Sequence, residues 1–112
     1  MNITIAKNYE IIPKWNDNEK NDNPIKFHCR ILSENQRQQC IDMNLQGEET
    51  KIKLDTVKMF KFSVVKIENF TVNGKEIKTA TDFLGTEGIS DLYNEVSPDI
   101  ITKGMTPDIK NI

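Results

Sequence analysis

The stretch LDTVKMFKFSVVKIENFTVNGKEI, residues 54–77, has an apolar first half and a polar second half. In the first half, four apolar residues recur at spacings of three and four: Val57, Phe60, Val64 and Ile67. This spacing puts them on one side of a helix, so it predicts a core helix over residues 57–67.

A strand is the alternative for the same residues. Phe60, Phe62 and Val64 alternate with polar neighbours, and phenylalanine and valine favour strands. The alternation fails on either side, at Met59 and Val65, whereas the helical spacing continues to the end of the apolar half. The pattern therefore favours the helix.

The polar half contains Asn73-Gly74 between two short segments that suit strands. Asparagine and glycine tolerate the positive φ angles that a two-residue turn between paired strands requires. The dipeptide predicts a short, hairpin-like turn directly after the core helix.

The clearest strand pattern in the chain covers residues 25–32, where apolar and polar residues alternate. Residues 9–15 also look extended, and Pro13 places them at a sheet edge or in a loop because proline donates no backbone hydrogen bond. The two segments can pair antiparallel across the polar residues 16–24. We therefore expect an N-terminal β-hairpin with residues 16–24 as an exposed polar loop.

Two further helices are predicted from their end signals. Ser33 and Gln36 have the spacing of a capping box, and the helix they begin should run through about Gln46 and stop at Gly47. Ser90 can begin the last helix. Its apolar stripe is Leu92, Val96 and Ile100.

Two short features complete the reading of the C-terminal half. Thr79 or Thr81 can cap a turn of helix that holds Phe83 and Leu84 and ends at Gly85. Pro98 either kinks the last helix or begins a new one after Ser97.

The length of the chain indicates a single domain, and the predicted strands and helices give it the α+β class. The chain has 112 residues, of which 37% are hydrophobic and 29% charged. We expect one domain over residues 1–103, with about three helices after the hairpin, and a flexible tail over residues 104–112. The net charge of −2 argues against nucleic acid as a partner. Apolar runs are too short for a membrane span, and no signal sequence is apparent, which predicts a cytoplasmic protein.

No catalytic, cofactor or metal site is predicted. His28 is the single histidine, and its neighbour Cys29 should point to the opposite face of the strand. Together with Cys40 these residues lack the spacing of a zinc site, and the glycines lack the spacing of a phosphate-binding loop. We therefore expect a protein that is not an enzyme.

Three residues are predicted to contact another protein chain. Trp15 adjoins the polar loop, while Met59 and Phe62 lie off the predicted helical stripe and need a second surface to cover them. The alternative is that the last helix of the same chain covers Met59 and Phe62. If another chain covers Met59 and Phe62, that chain can be a second copy of this one, which would make the protein a homo-oligomer.

Five short pieces, followed by a terminal helix, carry a resemblance to a known class of protein. In chain order they are Pro24-Ile-Lys-Phe27, Leu32-Ser-Glu-Asn-Gln-Arg-Gln38, Val64-Val-Lys-Ile67-Glu-Asn-Phe70, Asn73-Gly-Lys-Glu-Ile77 and Phe83-Leu84. The terminal helix contributes Leu92, Glu95, Val96, Ile100 and Ile101. This order of elements, over residues 24–103, resembles the small tail assembly chaperones and related tail accessory proteins of phages and prophages.

The resemblance implies a protein that binds a tail-tube or tape-measure-like subunit during tail assembly, through apolar surface and without nucleotide. A second function class stays open. A chain of this size also suits a small inhibitor or regulator that binds a host protein and blocks its surface.

Overall fold

A computed structural model of the chain describes residues 1–46, 49–105 and 109–111. The strands are β1 (Ile3–Ile5), β2 (Asn8–Ile11), β3 (Lys26–Arg30), β4 (Ile41–Gln46), β5 (Glu49–Leu54), β6 (Val64–Glu68), β7 (Thr71–Val72), β8 (Lys75–Glu76) and β9 (Ile109–Asn111). The helices are α1 (Glu34–Gln39), α2 (Thr56–Ser63), α3 (Ala80–Leu84) and α4 (Ser90–Met105), and a 3-10 segment covers Trp15–Lys20. The α+β class predicted from the sequence is confirmed.

The central sheet has the strand order β2-β3-β6, with both pairings antiparallel. Ile11 lies opposite Phe27 in the first pair, and Phe27 lies opposite Ile67 in the second. Alternate residues of a strand share a face, so these three side chains form one buried row across the sheet. The predicted N-terminal hairpin is confirmed as the pair β2–β3.

The predicted core helix is right for its first half and wrong for its second. Helix α2 ends at Ser63, and Val64 begins strand β6. A β-bulge shifts the pairing of β3 with β6 between His28 and Cys29, leaving Val65 59% exposed. The extra residue lets Val64 and Ile67 both face the core across a three-residue spacing. A strand with this bulge therefore buries residues three positions apart, which is the same spacing that a helix would give.

The helix predicted from Ser33 to Gln46 is also shorter than expected. The capping box of Ser33 and Gln36 is present, but the helix ends at Gln39. Strand β4 follows and pairs antiparallel with β5 along its whole length. Isoleucine, methionine and leucine alternate with polar residues over 41–46, and this period of two suits a strand. The predicted helix stop, Gly47, lies outside the described residues.

The short C-terminal elements follow their sequence signals. Asn73 and Gly74 have φ angles of 51° and 80° and join β7 to β8, which confirms the predicted turn. Thr79 caps α3 through a capping box with Asp82, and Gly85 ends the helix. Backbone and side-chain hydrogen bonds from Lys78 and Thr79 lower the pKa of the Asp82 carboxyl, as expected for a carboxylate in a cap.

The end of the chain differs from the predicted flexible tail. Helix α4 continues through Pro98 as one helix to Met105, and strand β9 pairs antiparallel with β1. Residues 106–108 and 112 of the predicted tail lie outside the described residues. The pairing partner of β9 is at the other end of the chain, so local sequence could not indicate it. No helix in the described parts of the chain is both long and apolar enough to cross a membrane.

An aromatic cluster holds the sheet and helices together. Phe60 on α2 stacks on Phe83 of α3 with 5.1 Å between ring centroids, and Phe27 meets both rings edge-on. Tyr93 of α4 lies 5.5 Å from Phe60, and Phe70 lies 6.3 Å from Phe83. Edge-on and offset aromatic pairs add stabilisation beyond the burial of their area.

The molecule is flat, with extents of 49 × 45 × 20 Å and a radius of gyration of 16.2 Å. A compact chain of this length has a radius of gyration of about 13 Å. Among the described strands, three two-stranded ribbons form sheets separate from the central one: β1–β9, β4–β5 and β7–β8.

Candidate interaction groove

Trp15 is held in place from two sides. Its ring is half-buried and meets the ring of Phe70 edge-on, with 6.4 Å between centroids. A carboxylate oxygen of Glu95, on α4, accepts hydrogen bonds from the backbone N–H groups of Lys14 at 2.8 Å and Trp15 at 3.3 Å. The tryptophan is therefore positioned by elements that lie far away in the sequence.

Trp15 lines an open groove of about 510 Å³, which we call the Trp15 groove. Its apolar lining residues are Trp15, Ile25, Phe70, Val72 and Ile89. Asparagines supply much of the rest: Asn16, Asn18, Asn21, Asn23, Asn69 and Asn73. Among the described residues that line the groove, Glu87 is the only charged one. The groove thus combines apolar rings and chains with neutral amides, which both donate and accept hydrogen bonds.

Tight turns build the walls of this groove. Asn16, Asn69 and Asn73 have φ angles of 53°, 62° and 51°, and Gly88 has a φ of 84°. Asparagine enters this left-handed region more easily than most residues, and glycine enters it without steric cost. The positive φ angles of the backbone therefore explain why asparagine and glycine occur at these positions in the walls.

Asn18 has a different role, because its side chain is buried. The amide nitrogen donates to the carbonyl oxygens of Pro13 at 2.8 Å and Ile25 at 3.2 Å, and the amide oxygen accepts from the Ile25 N–H at 2.7 Å. These three bonds tie residues 16–24 to the start of β3. Residues 16–24 are exposed over most of their length, as predicted, but Asn18 is buried and holds the two ends of the loop together through these bonds.

The three predicted partner contacts lie in different surroundings. Met59 is only 4% exposed, so its predicted contact with another chain is corrected: it belongs to the core. Helix α2 packs against β3, β6, α3 and α4, so elements of the same chain lie on more than one side of it. Phe62 is half-buried, and its backbone oxygen accepts a hydrogen bond from Arg30 Nε at 2.8 Å. Only Trp15 lines the groove.

The groove also contains Phe70 and Ile89, which the sequence did not predict as partner contacts, and the position of Trp15 depends on Glu95. Phe70 follows β6 and Ile89 precedes α4. Each has a plain sequence explanation as core, and Glu95 lies 80 residues from Trp15. The run of asparagines around Trp15 was the one local signal for this site.

His28 lies between two carboxylates on the outer face of the sheet. Its Nδ1 is 3.4 Å from a Glu10 oxygen, and its Nε2 is 3.2 Å from a Glu68 oxygen. The two carboxylates approach opposite nitrogens of the ring, so the three groups do not converge on one point. No group of three potential ligands that could hold a metal ion occurs within the described residues.

The two cysteines, Cys29 and Cys40, are both buried and both carry free thiols. Burial raises the pKa of the Cys29 thiol to about 12 and also raises the pKa of Cys40. Tyr9 lies beside Cys29, and burial raises the pKa of its hydroxyl as well. The reactive form of cysteine is the thiolate, so these groups are poor nucleophiles.

The thiols should therefore be unreactive in the folded protein. At pH 8 a thiol with a pKa near 12 has roughly a thousandfold less thiolate than free cysteine. We expect Ellman's reagent to modify neither Cys29 nor Cys40 at an appreciable rate in buffer, and both of the chain's cysteines in urea. A folded protein in which one thiol reacts as fast as free cysteine would contradict this assignment.

Comparison with known proteins found no family model that matches the chain, and no curated protein or solved structure with significant similarity to it.

Proposed function

We propose that the protein is not an enzyme and that it binds an extended segment of another protein in the Trp15 groove. The half-buried Trp15, fixed by Phe70 and Glu95 at the edge of an open groove, is the observation that carries this proposal. Tryptophan is a frequent anchor in protein interfaces because it combines a large apolar area with few rotatable bonds.

The lining favours a peptide that is extended and uncharged. An extended backbone presents N–H and C=O groups that an amide side chain can pair with in both directions. Among described residues, the side chains of Asn16, Asn21, Asn23 and Asn73 are exposed, and no internal hydrogen bond occupies their amides. Apolar side chains of the peptide would lie on Trp15 and its apolar neighbours.

The resemblance over residues 24–103 supplies the first partner class to test. We propose a phage or prophage tail accessory protein, in the manner of a tail assembly chaperone, that acts in the host cytoplasm on a tail-tube or tape-measure-like subunit. A groove for an extended segment supports this role, because a chaperone binds its client before the client has folded.

Affinity measurements on two alanine variants test the groove. Trp15→Ala should weaken binding of a tail-tube or tape-measure-like subunit by about 30-fold or more, the loss typical of an interface anchor. Phe62→Ala is the matched control, since Phe62 is also a half-buried aromatic but does not line the groove. Its binding should stay within about threefold of the parent, because surface contacts outside an anchor are close to neutral.

Trp15 is the single tryptophan of the chain, so its fluorescence reports directly on the groove. Occupation of the groove should shift the emission to shorter wavelength as water leaves the ring. Equal loss of affinity in the two variants, or binding without any change in emission, would argue against the groove. If a host enzyme, and no tail component, co-purifies with the protein from infected cells, the result would support the alternative function of an inhibitor or regulator of a host protein.

A further inference from the structure

Strand β7 has a neighbouring strand on one side only. It pairs with β8, and among the described strands no other pairs with it. Strand β3 begins at Lys26, which lies opposite Glu68, so β3 covers β6 but does not reach as far as β7. On the opposite side of β6, the Ile67 N–H donates to the carbonyl oxygen of Lys78 at 2.8 Å, so the segment that follows β8 lies there. The free side of β7 is therefore the side on which β3 would continue.

The Trp15 groove occupies this gap beside β7. One wall includes Phe70 and both residues of β7, Thr71 and Val72. Asn23 and Ile25, which come just before β3, contribute to the facing wall, whereas neither residue of β8 lines the groove. The groove volume of about 510 Å³ lies within the range of about 300–1,000 Å³ that is usual for ligand sites. The groove thus lies where a further strand would lie.

Thr71 directs both of its backbone groups into the gap. Along an antiparallel ladder, hydrogen-bonded pairs alternate with pairs that are not hydrogen-bonded. The Ile77 N–H donates to the Phe70 carbonyl oxygen at 2.8 Å, so the next pair, Thr71 and Glu76, is of the second kind. The N–H and C=O of Thr71 therefore point away from β8, and no hydrogen bond within the described parts of the chain occupies them.

We propose that the partner segment adds to β7 as an antiparallel strand, an inference that rests on the function proposed above. Addition of a strand to an open sheet edge is a common mode of peptide recognition, in which main-chain hydrogen bonds supply affinity. In an antiparallel pair one residue of the segment bonds both free groups of Thr71, whereas a parallel pair would need two residues of the segment. The added strand would also run in the direction of β3, because β3 is antiparallel to β6.

This pairing specifies the side-chain pattern of the segment. Phe70 is buried and Val72 is half-buried, while Thr71 between them is exposed. Directly opposite residues share a face of a sheet, and successive residues alternate between faces. The segment residue opposite Thr71 therefore points to solvent, and its two neighbours point to the side of Phe70, whose ring meets that of Trp15. The segment should read apolar–polar–apolar.

Two capped peptides of equal composition test the pattern: acetyl-Ser-Gly-Leu-Ser-Leu-Gly-Ser-amide and acetyl-Ser-Gly-Leu-Leu-Ser-Gly-Ser-amide. The emission of Trp15 reports their binding directly, because neither peptide contains tryptophan and Trp15 is the single one in the chain. We expect the first peptide to bind about tenfold or more tightly than the second, which places only one leucine in the groove. Titration to about 2 mM peptide covers the weak affinity of such short segments.

Backbone N-methylation of the first peptide tests the pairing itself. Methylation of the serine between the leucines removes the N–H that would donate to the carbonyl oxygen of Thr71, and binding should weaken about tenfold. The matched control is methylation of the second leucine, whose N–H points away from β7. Its binding should stay within about threefold, since exposed side-chain amides on that side of the groove can bond to water instead.

The amide proton of Thr71, followed by NMR, should move downfield with the unmethylated peptide as its N–H becomes hydrogen-bonded. Equal binding of all the peptides, with the Trp15 emission changed, would overturn strand addition while leaving the groove as the binding site. A larger loss from the control methylation than from that of the serine would also overturn the antiparallel pairing. Absence of binding by every peptide would overturn this inference alone, because the Trp15→Ala comparison with a whole subunit tests the groove separately.

Discussion

Phe60→Ala is expected to lower the free energy of unfolding by about 3–5 kcal/mol, as large-to-small changes of buried aromatic residues do. Phe60 is fully buried, and it contacts Phe27, Phe83 and Tyr93. Its removal leaves a cavity where the sheet, α2, α3 and α4 meet. Since domains of this size are stable by only about 5–15 kcal/mol, the variant should be marginally folded at room temperature.

Urea denaturation followed by Trp15 fluorescence and by far-UV circular dichroism measures this loss. Phe62→Ala is the control, because it makes the same chemical change two residues later on the same helix, at a half-buried position. We expect it to cost less than about 2 kcal/mol, in proportion to the smaller area removed from the interior. Similar losses in the two variants would mean that Phe60 is not at the centre of the core.

The parts of the fold that could be predicted from the sequence are those specified by neighbouring residues. The capping box at Ser33, the cap of α3, predicted at Thr79 or Thr81 and found at Thr79, and the turn at Asn73-Gly74 each need only four residues or fewer to form. The pair β2–β3 was also predicted, because β3 shows strict alternation and one polar loop joins the two strands.

Two elements were mispredicted because distant packing decided between local alternatives. Residues 64–67 have a spacing that fits a helix, yet pairing with β3 and a bulge turn the same spacing into a strand. The helix predicted to begin after Ser33 was extended through residues that form β4, although the residues after Cys40 alternate with a period of two. The pair β1–β9 joins the two ends of the chain and gave no local signal.

Of the residues that line the candidate groove, the sequence predicted only Trp15 as a partner contact. Trp15 stood out as the single tryptophan beside a polar segment. Phe70 and Glu95, which fix its ring and backbone, come from elements that reach it only through the tertiary fold. Met59 was misassigned because a helical wheel shows which residues lie off one stripe, but not how many neighbours surround the helix.

The second large effect is expected at the loop that carries Trp15. Asn18→Asp keeps the shape of the side chain but replaces the amide nitrogen, which donates to two carbonyl oxygens, with an oxygen that can only accept when ionised. An ionised carboxylate would face the carbonyl oxygens of Pro13 and Ile25 at a buried position. We expect a loss of about 3–5 kcal/mol at pH 7, the cost of an uncompensated buried charge.

The pH dependence of that loss tests the mechanism. Burial and the facing carbonyl oxygens should raise the pKa of the introduced carboxyl in the folded state above its unfolded value of about 3.9. The folded variant then binds more protons than the unfolded chain, so its deficit relative to the parent should be smallest below that value and grow as the pH rises through the folded pKa. Urea denaturation at pH 4 and pH 7 measures both deficits.

Asn21→Asp is the matched control, with the same substitution in the same loop at an exposed position. Its effect should stay within about 0.5 kcal/mol at either pH, as is usual for surface changes. If Asn18→Asp is equally mild, the amide does not close the loop as described. If it is severe but independent of pH, the loss comes from the missing hydrogen bonds and not from the buried charge. A severe, pH-dependent loss would show that one buried amide holds the segment on which Trp15 is mounted, and therefore that this wall of the groove forms only when the loop is closed.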